Sequence, residues 1–430
     1  MILTGTALLV LLLGTSIPVA AALALLGLIL SELFTSFPLI RAIGETSWGA
    51  ASEVIIVSVP MFILMGEILL RSGVAEKMYD AMVQWFSWLP GGLMHSNIGA
   101  CTMFAATSGS SAATAATIST VSIPEMRKHG YSPKLFLGSL AAGGTLGILI
   151  PPSINLIVYG VLTHTSIPQL YLAGFIPGFL LAALFMLTIL VVCVLRPEMG
   201  GQRMRPSWSA RLASLPSLLP PLALFAIVIG SIYAGWATPT ESASLGVVAS
   251  LVLAAANRRL NWDVLRTAIE GTMRSTAMIM LIFMAAFFLN FVISATGLTR
   301  ELTDLITRLD LSPLETMIAI VIFYIVLGCF METMAMMITT IPIIEPIIQA
   351  MGYDSVWFGI IVILLVETAM ITPPVGVNLY IVQGVRGDGR LNEVILGALP
   401  FVGALIAMIG VLIAWPELAL WLPNLWKQSL

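Results

Sequence analysis

A stretch of small and hydroxylated residues interrupts one of the most apolar regions of the chain. Residues 107–117 read TSGSSAATAAT, inside a hydrophobic region that covers residues 98–124. Non-helical backbone at membrane depth is tolerated only where protein or a water-filled cavity surrounds it. We therefore predict a re-entrant helical hairpin over about residues 97–126, with its tip at the Ser-Gly-Ser-Ser turn. The alternative is a close helix-packing face, which favours the same residue types.

A carboxylate stands at the corresponding place in the second half of the chain. Residues 328–333 read GCFMET, and Glu332 lies 222 positions after Ser110. An ionisable side chain between apolar runs is energetically costly, so its default interpretation is a functional site. We predict a second hairpin over about residues 320–348, with Glu332 as a functional residue at its tip. The alternative is a neutral carboxylic acid that is hydrogen-bonded as part of the packing.

Each half also contains two consecutive prolines, within residues 147–155 and 369–378. Two prolines in a row cannot continue the helical hydrogen-bond ladder. The helix before them therefore ends with free carbonyl groups, and the helix after them begins with free N–H groups. Carbonyl oxygens suit a cation, and a helix N-terminus suits an anion. We predict broken helices over about residues 135–163 and 356–383.

The available ligands favour sodium as the bound cation. Hydroxyl and carbonyl oxygens are hard neutral ligands, whereas transition metals prefer imidazole and thiolate groups. The three cysteines, Cys101, Cys193 and Cys329, stand in apolar surroundings without metal-type spacing. We therefore expect no resident cofactor, with sodium ions as coupling ions. Protons remain an alternative through Glu332.

The composition is typical of a protein embedded in a lipid bilayer. Of 430 residues, 59% are hydrophobic and 10% are charged, whereas soluble domains have about 25% charged and 45–50% apolar residues. Continuous apolar runs of the length that a spanning helix needs, about 20 residues, favour helices over a spanning barrel. The sequence predicts an all-α polytopic membrane protein with about ten transmembrane helices. A net charge of −3 without a basic run argues against nucleic acid as a partner.

An internal repeat and the distribution of charge divide the chain. A shift of 222 residues superposes Gly130 on Gly352 and the prolines 151–152 on 373–374. Lys and Arg concentrate in cytoplasmic loops. The turn that follows the first hairpin is basic, whereas the equivalent turn after the second hairpin is acidic. The two repeats are therefore predicted to be inverted, a plan common in secondary transporters. The predicted units are a first repeat at 1–195, a cytoplasmic linker at 196–217, a second repeat at 218–416 and a C-terminal tail at 417–430.

Taken together, these motifs resemble a known family. They occur over the whole chain in the expected order: Ser-Gly-Ser-Ser at 108–111, Ile-Pro-Glu-Met at 123–126, Gly-Tyr at 130–131, Ile-Pro-Pro-Ser-Ile at 150–154, Thr-Pro-Thr-Glu at 238–241 and Thr-Pro-Pro-Val-Gly at 372–376. The chain resembles the large, DctM-like membrane subunit of tripartite ATP-independent periplasmic (TRAP) transporters.

The resemblance implies sodium-coupled uptake of a small organic acid across the bacterial inner membrane by an elevator mechanism. It also implies two partners, a small four-helix membrane subunit and a periplasmic substrate-binding protein that delivers the carboxylate. Both hairpins and both broken helices would form the moving transport domain. The scaffold would comprise residues 3–34, 54–70, 218–256 and 275–294.

The same resemblance implies where ligands bind. Sodium is expected between each hairpin tip and the adjacent helix break, which gives a first set of Ser108, Ser110, Gly147, Ile150 and Pro152. The repeat supplies a second set of Gly328, Glu332, Ala369, Thr372 and Pro374. Substrate is expected between the two tips, with polar candidates Ser111, Thr114, Asn155 and Asn378.

Two other functions compete with this interpretation. An intramembrane protease would use Ser110 or Ser111 as its nucleophile, but the three histidines lie at predicted membrane edges, where no base reaches these hydroxyls. A stand-alone ion-coupled carrier of organic anions would share the inverted-repeat plan. It would differ from a TRAP transporter in working without a binding protein.

Overall fold

Helices account for every regular element in the described part of the chain. The computed structural model describes residues 2–14, 17–202, 204, 206–298, 301 and 311–429. Arg203 and Arg205, which belong to the predicted cytoplasmic linker, lie outside the described residues. The α-helices are α1 (Ile2–Gly14), α2 (Val19–Phe34), α3 (Ile43–Ser52), α4 (Ser58–Arg71), α5 (Val74–Phe86), α6 (Gly92–Ser108), α7 (Ser111–Lys128), α8 (Pro133–Thr145), α9 (Ile154–Thr163), α10 (Ile167–Leu195), α11 (Trp208–Ser214), α12 (Leu219–Tyr233), α13 (Pro239–Ala256), α14 (Trp262–Thr296), α15 (Pro313–Gly328), α16 (Thr333–Ala350), α17 (Ser355–Ile371), α18 (Val377–Arg386), α19 (Leu391–Ala414) and α20 (Glu417–Ser429).

Several helices are long and apolar enough to cross a membrane. Six helical segments meet this requirement among the described residues, and a seventh is added if the pair α11–α12, bent by 44°, forms one span. Shorter apolar helices are α2, α9, α15 and α17. The predicted all-α polytopic class is confirmed, and the predicted number of about ten spans is approached only when these shorter helices are counted.

Local sequence explains where these helices begin and end. Thr238 caps α13 and Ser312 caps α15, each in a reciprocal capping box with a glutamate three residues later and a proline at the first helical turn. Helix α17 is apolar on all sides except for a few polar residues near its end, and it is buried from Val356 to Ile371. A helix of that kind belongs in the centre of a helical assembly.

The two halves share a local plan. Helices α7 and α16 are both 18 residues long and begin at residues 111 and 333. Helices α9 and α18 are both 10 residues long and begin at residues 154 and 377. The peptide bond within each Pro-Pro pair is cis, and the turns at Gly130 and Gly352 both have positive φ. The re-entrant placement of the hairpins, their sides of the membrane and the domain boundaries stay predictions.

Two packed groups of helices meet around the hairpin tips. Helices α2 and α3 pack against α14, and α4 packs against both α13 and α14. In the other group, α7 packs against α8 and α18, α9 packs against α16, and α17 packs against α15 and α19. The groups touch where α4 contacts α6 and where α14 contacts α16. The candidate site lies at this junction.

Candidate functional site

The first hairpin tip is a tight break between α6 and α7. Helix α6 ends at Ser108, and the next residue, Gly109, has a left-handed φ of +62°, a conformation that glycine adopts without steric cost. A Cβ atom at this position would lie 2.7 Å from the carbonyl oxygen of Pro152. Ser110 then caps α7, because its Oγ accepts a hydrogen bond from the Ala113 N–H at 3.4 Å. The tip therefore touches the first Pro-Pro break directly.

A group of oxygen atoms collects at this tip. The Ser108 and Thr114 hydroxyls are hydrogen-bonded at 2.9 Å, and Thr114 Oγ1 donates to the Ser110 carbonyl at 2.8 Å. Gly147 approaches so closely that a Cβ would lie 2.6 Å from the same carbonyl oxygen. Four members of the first predicted sodium set, Ser108, Ser110, Gly147 and the Pro152 carbonyl, thus lie around one tip.

The side chain of Ile150, the remaining member of that set, packs against α10 and not against the tip. It is fully buried, and its Cγ1 would lie 2.8 Å from a Cβ added to Gly178 of α10. Only its carbonyl group is chemically suited to bind a cation.

The second tip is built around Glu332. This residue caps α16, because its Oε2 accepts from the Ala335 N–H at 3.1 Å while its Oε1 accepts from the Thr333 hydroxyl at 2.7 Å. Ser110 makes the equivalent cap in the first half. A carboxylate has about four lone-pair positions, so these two hydrogen bonds leave Glu332 able to accept a cation.

The rest of the second predicted sodium set lies on α17, on the break after it and on α15. Gly328 packs against Ala369, whose Cα would lie 3.3 Å from a Cβ at the glycine. Thr372 donates its hydroxyl to the Thr368 carbonyl at 2.6 Å, which leaves its oxygen lone pairs free. The Pro374 carbonyl already accepts from the Tyr380 hydroxyl at 3.1 Å.

A cavity of about 220 Å³ lies between the tips and the neighbouring helices. Of the predicted residues it brings together Ser108, Ser110, Ser111, Asn155 and Glu332. The first turns of α7, α9, α16 and α18 all contribute to its wall. Helix N-termini carry partial positive charge, so the wall offers anion-binding capacity without a basic side chain.

The four substrate candidates divide into two pairs. Ser111 and Asn155 line the cavity, whereas Thr114 and Asn378 do not. Thr114 belongs to the oxygen group at the first tip. Asn378 is fully buried behind Ser111, and its Nδ2 donates to the Ser111 hydroxyl at 2.8 Å and to the Ala141 carbonyl at 3.1 Å. Asn378 therefore contacts Ser111 from behind the cavity wall, and its role as a substrate residue stays a prediction.

Sequence reasoning missed two carboxylates. Glu67 of α4 lines the cavity together with Ser275 of α14. Glu367 of α17 is completely buried, and neither of its carboxylate oxygens has a hydrogen-bond partner among the described residues. The rule that singled out Glu332, a carboxylate within an apolar run, applies equally to both and was the available signal.

The described residues contain no group of three or more His, Cys, Asp or Glu side chains placed to hold a metal ion. Two histidines have other partners: His95 Nε2 lies 2.9 Å from the Pro90 carbonyl, and His129 lies 3.2 Å from Glu125. The chemistry gathered at the tips is that of hydroxyls, carbonyls and one carboxylate.

Comparison with known proteins assigns the chain to a family. A family model described as the DctM component of the tripartite ATP-independent periplasmic transporter matches residues 6–418. The chain belongs to this family. It is 32% identical over 431 residues to the C4-dicarboxylate TRAP transporter large permease protein DctM of Vibrio cholerae, covering 95% of this chain and 94% of that protein. It is 30% identical over 380 residues to the sialic acid TRAP transporter large permease protein SiaM of the same organism, covering 88% of each.

A solved structure supports the fold. The crystal structure of the Alcanivorax borkumensis YdaH transporter superposes with a TM-score of 0.67 at 15% sequence identity, covering 97% of this chain and 99% of that one. The resemblance that the motifs indicated is confirmed at the level of the family by the family model and the relatives. The chain is a TRAP large permease, a multi-pass protein of the bacterial inner membrane, and its family consists of transporters and not of enzymes.

Proposed function

We propose that this permease takes up a small organic acid by sodium-coupled secondary active transport, with an elevator movement of the tips and broken helices. One observation carries the proposal: two hairpin tips and two broken helices converge on a single small cavity. Transporters commonly bind substrates and coupling ions at such interrupted helices, because the exposed backbone groups there replace the hydration shell.

Sodium is supported by the kinds of atoms at the tips. Ser108 and Ser110 with the carbonyls near Gly147 provide a first set of hard oxygen ligands. The carboxylate of Glu332 at the second tip and the hydroxyl of Thr372 at the second Pro-Pro break would provide a second. Neutral oxygens bind sodium without the imidazole or thiolate groups that select transition metals. A bound sodium ion at each tip would add positive charge beside the helix N-termini and strengthen the binding of a carboxylate.

The elevator movement is supported by the two-part wall of the cavity. Gly66, Glu67 and Ser275 come from the group formed by α2, α4, α13 and α14, whereas the tips belong to the other group. We assign the first group to the scaffold and the second to the transport domain. A substrate held by the tips would then slide past fixed scaffold residues during transport.

The partners follow from the tripartite family. We infer that a small four-helix membrane subunit joins the scaffold, and that a periplasmic binding protein delivers the substrate. The names of the two relatives, for C4-dicarboxylates and sialic acid, support organic acids as the substrate class. Lipid covers the exposed apolar residues of the spanning helices.

The competing function is a stand-alone carrier of organic anions. The two are separated by reconstituting the permease with its small subunit in liposomes under an inward sodium gradient, with and without the cognate binding protein. Uptake that requires the binding protein supports the tripartite function. Equal uptake without it would make the permease a stand-alone carrier.

A further inference from the structure

A buried carboxyl group lies outside the cavity, near the end of α16 that is remote from the second tip. Glu345 is 5% exposed and does not line the cavity. We propose that Glu345 binds a proton from the aqueous phase, and that the protonated carboxyl group joins α16 to α9 and to the start of α17 by hydrogen bonds. Substrate and coupling ion take no part in this site.

The contacts of Tyr159 leave one hydrogen atom to be supplied. The Tyr159 hydroxyl lies 2.7 Å from the Ser355 carbonyl oxygen and 3.1 Å from Glu345 Oε2. A phenol has a single hydrogen, and a carbonyl oxygen can only accept. When Tyr159 donates to Ser355, its nearer partner, the contact with Glu345 is a hydrogen bond only if Oε2 carries a proton and donates it to the phenol oxygen. An ionised Glu345 would instead compete with the Ser355 carbonyl for the same hydrogen.

The other oxygen of the Glu345 side chain has the partner that a neutral acid requires. Gln349 donates from Nε2 to Glu345 Oε1 at 3.1 Å and to the Ser355 hydroxyl at 3.2 Å. Oε1 is therefore the carbonyl oxygen of the acid, and Oε2 is its hydroxyl. One proton taken from water completes the set of hydrogen bonds, and the O–H bond at Oε2 is the only bond formed.

No cation near Glu345 replaces the proton. Among the described residues, none of the ion pairs includes Glu345. Tyr159 of α9 lies near both Glu345 and Asp354, which precedes α17, and Tyr324 faces Glu345 from α15. Helices α2 and α14 also pack against α16, but no described side chain of theirs forms an ion pair with Glu345. A buried carboxylate without a cation is costly, and a second carboxylate nearby disfavours its charge further.

The site is close to water at one end. Gln349 is exposed and Ser355 is half-buried, and both flank the turn at Gly352, which the charge pattern predicts to be periplasmic. A proton therefore reaches Glu345 past a single side chain. Because the folded protein then binds a proton that the unfolded chain releases, the stability contributed by this site is complete at acidic pH. It is lost as the pH rises through the range in which Glu345 releases its proton.

Infrared spectroscopy of the full-length permease in lipid nanodiscs tests proton binding. The carbonyl stretch of protonated carboxylic acids is recorded from about pH 6 to about pH 8, a range in which ordinary glutamates have released their protons. We expect the native protein to show an acid band at the lower end of this range that is absent from Glu345→Gln. Native and variant spectra without this difference would overturn the inference.

Two buried tyrosines separate the proton site from packing. Tyr159→Phe removes the phenol that accepts from Glu345, whereas Tyr324→Phe removes a phenol that contacts the Thr340 hydroxyl, also on α16, at 2.6 Å. We expect proton binding to weaken about ten-fold in Tyr159→Phe, as is typical of the loss of one hydrogen bond, and to stay unchanged in Tyr324→Phe. Equal effects of the two variants, including no effect of either, would contradict this hydrogen-bond arrangement.

Hydrogen exchange measures how firmly the helices are joined. Glu345→Gln supplies an uncharged amide that donates to Tyr159 and accepts from Gln349 at every pH, so it mimics the protonated acid. At acidic pH we expect equal exchange of the α9 and α16 amides in the native protein and this variant. At alkaline pH we expect exchange about ten-fold faster in the native protein.

Comparison of the two proteins at the same pH removes the intrinsic pH dependence of exchange. Glu53→Gln neutralises an exposed carboxylate at the end of α3, and it should follow the native protein at both pH values. Native exchange that equals or falls below that of Glu345→Gln at alkaline pH would overturn the inference.

Discussion

Asn378, near the start of α18, donates a hydrogen bond from Nδ2 to the hydroxyl of Ser111 at 2.8 Å. This contact connects the second broken helix to the first hairpin tip across 267 residues of sequence. Its energetic coupling can be measured in a double-mutant cycle of Asn378→Ala, Ser111→Ala and the combined variant. We expect a coupling of about 0.5–1.5 kcal/mol in thermal or denaturant stability, which is typical of one buried hydrogen bond. Strictly additive effects would contradict the contact.

The close approach of Gly147 to the first tip predicts a steric requirement. The added methyl of Gly147→Ala would lie 2.6 Å from the Ser110 carbonyl oxygen and 2.8 Å from Thr114 Oγ1. We expect a loss of stability of about 1–3 kcal/mol, typical of overpacking, together with weaker sodium activation of transport. The control is Gly384→Ala in α18, where a Cβ meets nothing within 4 Å. That change should be neutral or stabilising by up to about 1 kcal/mol, and equal damage by both would argue against a packed tip.

Thr372 provides a test of the second sodium set. Thr372→Ala removes the hydroxyl at the Pro-Pro break, and we expect the sodium concentration for half-maximal uptake to rise at least ten-fold. Thr368→Ala is the matched control, because Thr368 makes the same kind of hydrogen bond, to the Leu364 carbonyl at 2.8 Å, one turn before the break. An unchanged sodium dependence in the Thr372 variant would remove this residue from the ligand set.

An ion-pair cluster at the C-terminal end of α18 predicts two different stability effects. Arg386, with a side chain 9% exposed, lies 2.6 Å from Glu393 and 3.3 Å from Asp388. Arg127 of α7 pairs with the same Asp388 at 2.9 Å but is 54% exposed. We expect Arg386→Gln to cost about 1–3 kcal/mol, because it leaves Glu393 without its partner, and Arg127→Gln to cost less than about 1 kcal/mol. Denaturation of both variants at low and high salt checks this order, and an equal cost would contradict it.

Breaks in the helices were readable from the sequence because their causes are local. The Ser-Gly-Ser-Ser turn, Glu332 and both Pro-Pro pairs lie where the helices end, since glycine, proline and capping side chains act within a few residues. The observed breaks therefore fall inside the predicted segments. The family, which the motifs indicated, is confirmed by the comparisons.

The residues around the cavity were harder to predict because they depend on packing between distant helices. Glu67 enters the wall only because α4 and α14 lie against the hairpin tips, and no local rule states that contact. Asn378 has the polarity of a substrate ligand, yet the position of α18 against α7 directs it to Ser111. A similar limit applies to Glu367, whose burial within α17 follows from the helices that surround it.

Uptake against a concentration gradient tests the central claim most directly. Liposomes containing the permease and its small subunit, with binding protein outside, receive substrate at equal concentration on both sides and a sodium gradient directed inward. Coupled transport predicts that substrate accumulates inside and leaves again when a sodium ionophore collapses the gradient. Substrate that stays at equal concentration on both sides while the sodium gradient persists would contradict sodium-coupled transport.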